Sequence, residues 1–250
     1  MPSGLIIVTG GSRGIGAAIC RRLAADGYAV AVNYTADAKA AEATVAEIKK
    51  AGGRAQAFQA DVADGGQIHR LFEQATKALG PLAGLVNNAG VSGRFATTDE
   101  QKVEDLTRLI QVNVMGTILA CKEAVLRLST KHGGSGGSIV NISSIAAKSG
   151  GLPGLASYAA TKGAVDSFTK GLANEVGPEG VRVNAVSPGF TATDMNSEAL
   201  AQPSFRERIE RMTPLRRIGA PHEIAEAAAW LISPAAAFVT GSIVAVSGGR

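Results

Sequence analysis

Cysteine is nearly missing from this chain: Cys20 and Cys121 are the only two in 250 residues. Two isolated thiols build no disulfide framework, and they point to a reducing compartment and so to a cytoplasmic location. Histidine is equally sparse. His69, His132 and His222 lack the spacing of metal ligands, so no metal site is expected. Aromatic residues make up 4% of the chain, and no basic face interleaved with them emerges, which argues against a nucleic-acid partner. Charge is nearly balanced, with 25 basic and 21 acidic residues and a formal net charge of +4. No uninterrupted apolar run reaches about 18 residues, so neither a membrane span nor a membrane partner is expected. The opening Met1, Pro2, Ser3 and Gly4 carry no basic region or cleavage signal, so no signal peptide is expected.

Glycine, by contrast, is abundant. Its 31 residues follow no three-residue period, which excludes collagen. With 46% hydrophobic and 18% charged residues, the chain has the composition of a packed globular protein. Short β-branched runs at 5–9, 29–34, 55–59, 84–87, 138–143, 181–187 and 242–246 predict strands. They are near-continuous apolar runs, as in a parallel sheet covered on both faces. Alanine-rich stretches with helical spacing lie at 15–26, 38–51, 67–79, 103–128, 157–176 and 221–232. This alternation predicts βαβ crossovers and one α/β domain spanning 1–250, a Rossmann-type doubly wound parallel sheet. Gly27 and the Gly52-Gly53 pair mark helix ends, and Pro81, Pro178 and Pro221 mark turns or helix starts. Residues 190–217 are polar and weakly periodic, and predict a lid of one or two short helices.

The first strand runs into Thr9-Gly10-Gly11-Ser12-Arg13-Gly14-Ile15-Gly16 and then a helix. A glycine-rich turn at a helix N-terminus is a ready anion site, because unpaired N–H groups and the helix dipole both favour negative charge. Gly10, Ser12, Arg13, Gly14, Ile15 and Gly16 are therefore candidate dinucleotide contacts. The end of the second strand would hold an acidic ribose selector in an NAD enzyme. It carries Asn33-Tyr34-Thr35 instead, and the first carboxylate, Asp37, falls at the start of the next helix. Asn33 and Tyr34 become candidate ribose contacts. Arg13 is placed to fork onto a 2′-phosphate. NADP is the expected cofactor, with NAD as the alternative.

Tyr158 and Lys162 stand four residues apart and so share one helix face. A free phenol is a poor base at neutral pH, and a neighbouring ammonium favours the phenolate. Ser143-Ser144 ends the fifth strand, at the functional edge of a parallel sheet, where a hydroxyl can steady a substrate oxygen. Asn113 lies inside a helical stretch, where an amide competes for backbone groups; it marks a kink with a bridging water.

Taken together, Thr9-Gly10-x-x-x-Gly14-x-Gly16, Asp61-Val62, Asn87-Asn88-Ala89-Gly90, Asn113, Ser144, Tyr158-x-x-x-Lys162 and Pro188-Gly189 resemble the short-chain dehydrogenase/reductase family over essentially the whole chain. The resemblance implies a seven-stranded parallel sheet and hydride transfer between nicotinamide C4 and a carbonyl or alcohol carbon. It implies that Tyr158 exchanges the proton on the substrate oxygen. Lys162 would lower the Tyr158 pKa and hydrogen-bond the nicotinamide ribose. Ser144, rather than Ser143, would polarise the substrate oxygen. Asn113 would hold a relay water. Asp61 and Val62 would meet the adenine. Asn88, Ala89 and Gly90 would line the adenosine ribose, and Pro188, Gly189, Thr191 and Thr193 the nicotinamide side. The helical stretches 103–128 and 157–176 would pair subunits in a homotetramer.

The chain departs from the family near its end, where Ser247 stands at a position that many relatives fill with Asp. Substrate is less legible than chemistry. A small-molecule carbonyl or alcohol is expected. Asn33-Tyr34 resembles some bacterial glucose dehydrogenases, and much of the remainder resembles 3-oxoacyl-carrier-protein reductases. Arg206, Arg208, Arg211, Arg216 and Arg217 could greet an acidic substrate, but the interleaved Glu207 and Glu210 favour plain helix-surface pairing. A dinucleotide-sensing regulator without turnover is the rival class, and retention of Asn113, Ser144, Tyr158 and Lys162 argues against it. Cys20 and Cys121 read as small apolar packing residues, Trp230 and Phe238 as core or interface.

Overall fold

The computed structural model describes residues 4–250; residues 1–3, where the absence of a leader is expected, lie outside the described residues. Seven strands form one sheet: β1 (Leu5–Val8), β2 (Ala29–Tyr34), β3 (Arg54–Gln59), β4 (Leu82–Asn87), β5 (Gly137–Ile142), β6 (Val181–Pro188) and β7 (Ile243–Val246). All neighbours pair in parallel, in the order β3-β2-β1-β4-β5-β6-β7. The order reverses between β1 and β4, and a crevice at such a reversal is where ligands bind in doubly wound folds.

Helices cover both faces. They are α1 (Gly14–Ala25), α2 (Ala38–Lys50), α3 (Gly65–Leu79), α4 (Val103–Ile110), α5 (Gly116–Leu128), α6 (Ala146–Ser149), α7 (Ala156–Val176), α8 (Ser197–Leu200), α9 (Pro203–Met212) and α10 (Pro221–Ile232). Alternate residues of each central strand feed opposite layers. Ile6 and Val8 of β1 join Leu23, Val45 and Ile224 from α1, α2 and α10. Leu5 and Ile7 join Phe72, Leu128 and Val176 from α3, α5 and α7. The two edges break the expected continuous apolar pattern. Along β3, Ala55 and Phe58 are buried while Arg54, Gln56 and Gln59 are exposed, and β7 is only half covered. An edge strand faces water along one side and tolerates polar residues there.

Two expectations change here, and one holds. Trp230 and Phe238 are not core residues: both are exposed, Phe238 fully so. The stretch 103–128 is not one α-helix but α4 and α5 joined by a π-helical segment, Gln111–Met115. By length and composition alone the span Val103–Leu128 could cross a membrane. Its inner face is occupied instead, with α5 packed on α3, β4 and α7. Asp37 proves to be a cap, its carboxylate accepting the Ala40 N–H at 3.0 Å at the start of α2.

Candidate active site

The glycine turn is held from below by two asparagines. Asn33 is buried at the end of β2, and its Oδ1 accepts the Gly10 N–H at 3.2 Å. Its amide donates to the carbonyls of Ala60 and Phe58 at 3.0 and 3.3 Å. Asn88 donates to the carbonyls of Thr9 and Gly10 at 3.0 and 2.9 Å. The Thr9 hydroxyl accepts the N–H groups of Asn88 and Ala89, both at 3.0 Å. Asn33 and Asn88 were expected against a ribose. Their amides instead join β1, β2, β3 and β4 beneath the turn, because buried amides must be paired.

Within the turn, Gly10 and Gly14 have positive φ. Gly16 is dictated by closeness: a Cβ there would stand 2.2 Å from the Gly10 carbonyl oxygen and 2.5 Å from Asn88 Nδ2. Helix α1 starts at Gly14 without any side-chain cap on its first N–H groups. An uncapped helix start under a glycine turn suits a pyrophosphate, so the residues present fit a dinucleotide. Ser12 is anchored through its carbonyl by the Thr44 hydroxyl at 3.0 Å, and Ile15 packs partly buried against the core. Arg13 is exposed and reaches the lid, its Nε 3.7 Å from Asp194 Oδ2. Tyr34 is half-buried at the strand end.

Asp61 and Val62, the expected adenine contacts, lie just beyond β3. Asp61 is engaged by Arg108 of α4 at 2.9 Å, and it also accepts the Ala63 N–H at 3.0 Å. Burial would raise its carboxyl, but the Arg108 contact prevails and holds it below the usual carboxylate range. Val62 is buried, and its carbonyl would lie 2.8 Å from a Cβ on Gly116, so a glycine is needed where the π segment passes into α5.

The catalytic candidates converge at the carboxyl ends of β4 and β5. Lys162 is buried and donates from Nζ to the Ile142 carbonyl at 2.8 Å. Its Nζ stands 5.8 Å from the centre of the Tyr158 ring. Burial pushes the ammonium down to about 8, against the upward pull of Asp166. Burial likewise raises the Tyr158 phenol, while a hydrogen bond with the Ser144 hydroxyl pulls the other way. Burial and the Ser144 hydroxyl thus act on the Tyr158 phenol in opposite senses, with the Lys162 ammonium over its ring. Ser143 is turned inward, its hydroxyl 3.4 Å from the Lys162 carbonyl, so Ser144 is the serine that faces Tyr158.

Asn113 sits in the π segment with its side chain fully used. Oδ1 accepts the Val91 N–H at 2.9 Å, and Nδ2 donates to the Val91 carbonyl at 2.9 Å and to the Thr161 hydroxyl at 3.1 Å. Thr161 in turn donates to the Tyr158 carbonyl at 2.7 Å. Asn113 thus ties the loop after β4 to the helix that carries Tyr158 and Lys162. Gly90 lies in the same place: a Cβ on it would be 3.4 Å from Asn113 Oδ1 and 3.6 Å from Lys162 Nζ. Sequence reasoning passed over Thr161; its signal was a threonine within the Tyr-x-x-x-Lys turn itself.

Pro188 and Gly189 end β6. The Pro188 carbonyl accepts the Ile145 N–H at 3.1 Å, and the Gly189 N–H donates to Val246 at 2.9 Å. Thr191 is buried, its hydroxyl donating to the Gly189 carbonyl at 3.1 Å. Thr193 begins the turn Asp194–Asn196, and its methyl would sit 3.4 Å from a Cβ on Gly14, which brings the lid over the glycine turn. Three of the lid arginines face carboxylates. Arg206 faces Glu210 at 3.4 Å, Arg211 faces Glu207 at 3.5 Å, and Arg217 pairs with Glu223 at 2.5 Å. The Arg217 contact holds the Glu223 carboxyl down at about 2.

The sequence profile of a family described as Enoyl-(Acyl carrier protein) reductase matches residues 10–250. An uncharacterized oxidoreductase of Escherichia coli, YgfF, is 43% identical over 246 residues, covering 98% of this chain and 99% of its own length. Among solved structures, a dehydrogenase/reductase from Sinorhizobium meliloti superposes with a TM-score of 0.92 at 41% identity, covering 98% of this chain and 94% of that one. A short chain dehydrogenase from Burkholderia cenocepacia, solved in complex with NADP, superposes with a TM-score of 0.88 at 36% identity, covering 98% and 96%.

Proposed function

This chain belongs to the short-chain dehydrogenase/reductase family, NAD(P)-dependent oxidoreductases acting on CH–OH and carbonyl groups, and from that membership we propose an NADP(H)-dependent carbonyl reductase with Tyr158 as its acid. The observation that carries this reading is the meeting of Ser144, Tyr158 and Lys162 at the carboxyl end of β5, with the Lys162 Nζ 5.8 Å from the Tyr158 ring. A bound nicotinamide dinucleotide supplies the hydride. In reduction, charge builds on the substrate oxygen, and the Ser144 hydroxyl steadies it. The Tyr158 phenol then gives its proton to that oxygen, and the positive charge of Lys162, one turn along α7, opposes the charge left on the phenolate. Asn113 keeps the Tyr158 turn in register through Thr161, and its segment is where a relay water would be held.

The NADP preference rests on two features. The end of β2 has no free carboxylate, since Asp37 is committed to the α2 cap, and Arg13 is exposed at the glycine turn. The Burkholderia relative, solved with NADP, supports the same reading. A small apolar or weakly polar carbonyl compound suits a lid whose Arg206, Arg211 and Arg217 already face carboxylates. A cytoplasmic location suits Cys20 and Cys121, both buried as free thiols. The test is loss of NADPH absorbance across a panel of carbonyl compounds, with Tyr158→Phe as control. Turnover should drop by roughly a thousandfold in that variant, the scale of a lost general acid. Full activity in it would sink the mechanism. Arg13→Ala should raise KM for NADPH by about tenfold or more and leave NADH nearly unchanged; an equal effect on both cofactors would remove Arg13 as the phosphate selector.

A further inference from the structure

Lys162 is the buried cation of the site, and the bond from its Nζ goes to a neutral backbone carbonyl, that of Ile142. One turn further along α7 comes Asp166. Side chains on a helix lean towards its N-terminus, so a residue at i+4 leans back over the turn that holds Lys162. Among the described residues, the Asp166 Oδ1 atom is buried without any hydrogen-bond partner. A carboxylate oxygen removed from water and left unpaired is costly unless a positive charge compensates it. Lys162 feels that carboxylate through space, not through a hydrogen bond; burial opposes its charge, while Asp166 and the Ile142 carbonyl favour it. Other charges lie on elements packed against α7: Lys148 on α6, Arg182 on β6, and the acids and bases of α4 and α5. Among the described residues, none of these forms an ion pair with the Lys162 ammonium.

We propose that Asp166 is the counter-ion of Lys162, a positioning residue that keeps the ammonium charged inside the active site. Its effect on the reaction passes through the Lys162 side chain. The inference rests on the reading of Lys162 as the cation of the catalytic group.

The experiment is the pH dependence of carbonyl reduction in Asp166→Asn, which keeps the shape and removes the charge. The sign is fixed. Without the carboxylate, only the Ile142 carbonyl opposes the burial of Lys162 and the proton leaves more easily, so the alkaline limb of the rate profile should move to lower pH by roughly one unit. Asp166→Glu should restore the limb. A second readout needs no turnover: the 13Cε resonance of Lys162, assigned with Lys162→Met, should titrate at correspondingly lower pH in Asp166→Asn. If that variant does not fold, Asp166→Ser serves in the same comparison. A uniform loss of rate at every pH, with the limb and the titration unmoved, would overturn the counter-ion and leave Asp166 a packing residue. An active Lys162→Met enzyme would instead overturn the catalytic reading, with the resonance titration still deciding for or against the counter-ion.

Discussion

The glycine turn shows how individual residues divide their labour. Glycine is required where a Cβ would strike backbone, as at Gly16 against the Gly10 carbonyl oxygen. The shape of the turn is imposed from outside it by Asn33, Asn88 and Thr9. Glycine supplies permission, and the buried amides supply the constraint. Asn88→Ala should therefore cost about 2 kcal/mol of stability for two lost hydrogen bonds. It should also loosen dinucleotide binding although the amide faces away from the ligand. Urea denaturation and NADPH titration measure the two effects; unchanged stability would mean that water replaces the amide without loss. Asn33 and Asn88 were legible as important residues, but not in this role. Their place in the chain gives the strand end, whereas their partners come from other strands up to 79 residues away.

At the scale of elements, the π segment Gln111–Met115 is the main departure from regular structure. A π turn adds one residue to a helical circuit and re-aims the side chains around it. Here it turns Asn113 inward, where one amide fastens Val91 on both its N–H and its carbonyl and reaches Thr161 as well. Asn113→Ala should cost about 2–3 kcal/mol. It should also slow reduction more than Thr161→Val, which removes one of the three bonds and keeps the volume. Thermal unfolding and steady-state rates of both variants check the order; equal effects would mean that the Val91 contacts are idle. The sequence marked Asn113 as an unsuitable mid-helix residue and predicted a kink there. It could not show that the irregularity is a π turn satisfied by protein groups, because the choice depends on Val91 and Thr161 arriving from β4 and α7. A second polar group was illegible for the same reason. Asn87 donates to Asn141 at 2.9 Å and Asn141 to the Thr169 hydroxyl at 2.9 Å, a chain buried between β4, β5 and α7. Paired in this way, such amides fix strand register; left unpaired, each would cost about 1–3 kcal/mol.

For the whole molecule, the exposed large apolar side chains fall on the 103–128 helical stretch, around the far edge of the sheet, and on the loop and lid at Phe95, Met195, Met212 and Leu215. Val103, Ile110, Met115 and Leu126 mark the first region, and Trp230 and Phe238 the second. Large exposed apolar groups of this kind mark association sites. With the tetramer that the family resemblance implies, sedimentation should give a mass about four times that of the chain. Phe238→Asp should yield smaller species that keep the circular dichroism of the folded chain. A wild-type monomer at micromolar concentration would refute the assembly.

The sequence by itself determined the fold and its order. Strand and helix periods are local, and the glycine turn, the Tyr-x-x-x-Lys step and the breaks at Gly27 and Pro221 are readable within a few residues. It also determined which residue types meet at the site, since each stands at the end of a strand or on a defined helix face. Only the tertiary structure decided what each polar group faces. Asp61 pairs with Arg108, Arg13 reaches across to Asp194, and burial raises the Tyr158 phenol while the Ser144 hydroxyl pulls the other way. Hydrogen-bond partners and desolvation depend on groups far apart in the chain, and their balance exists only once the sheet and its helices have closed around them.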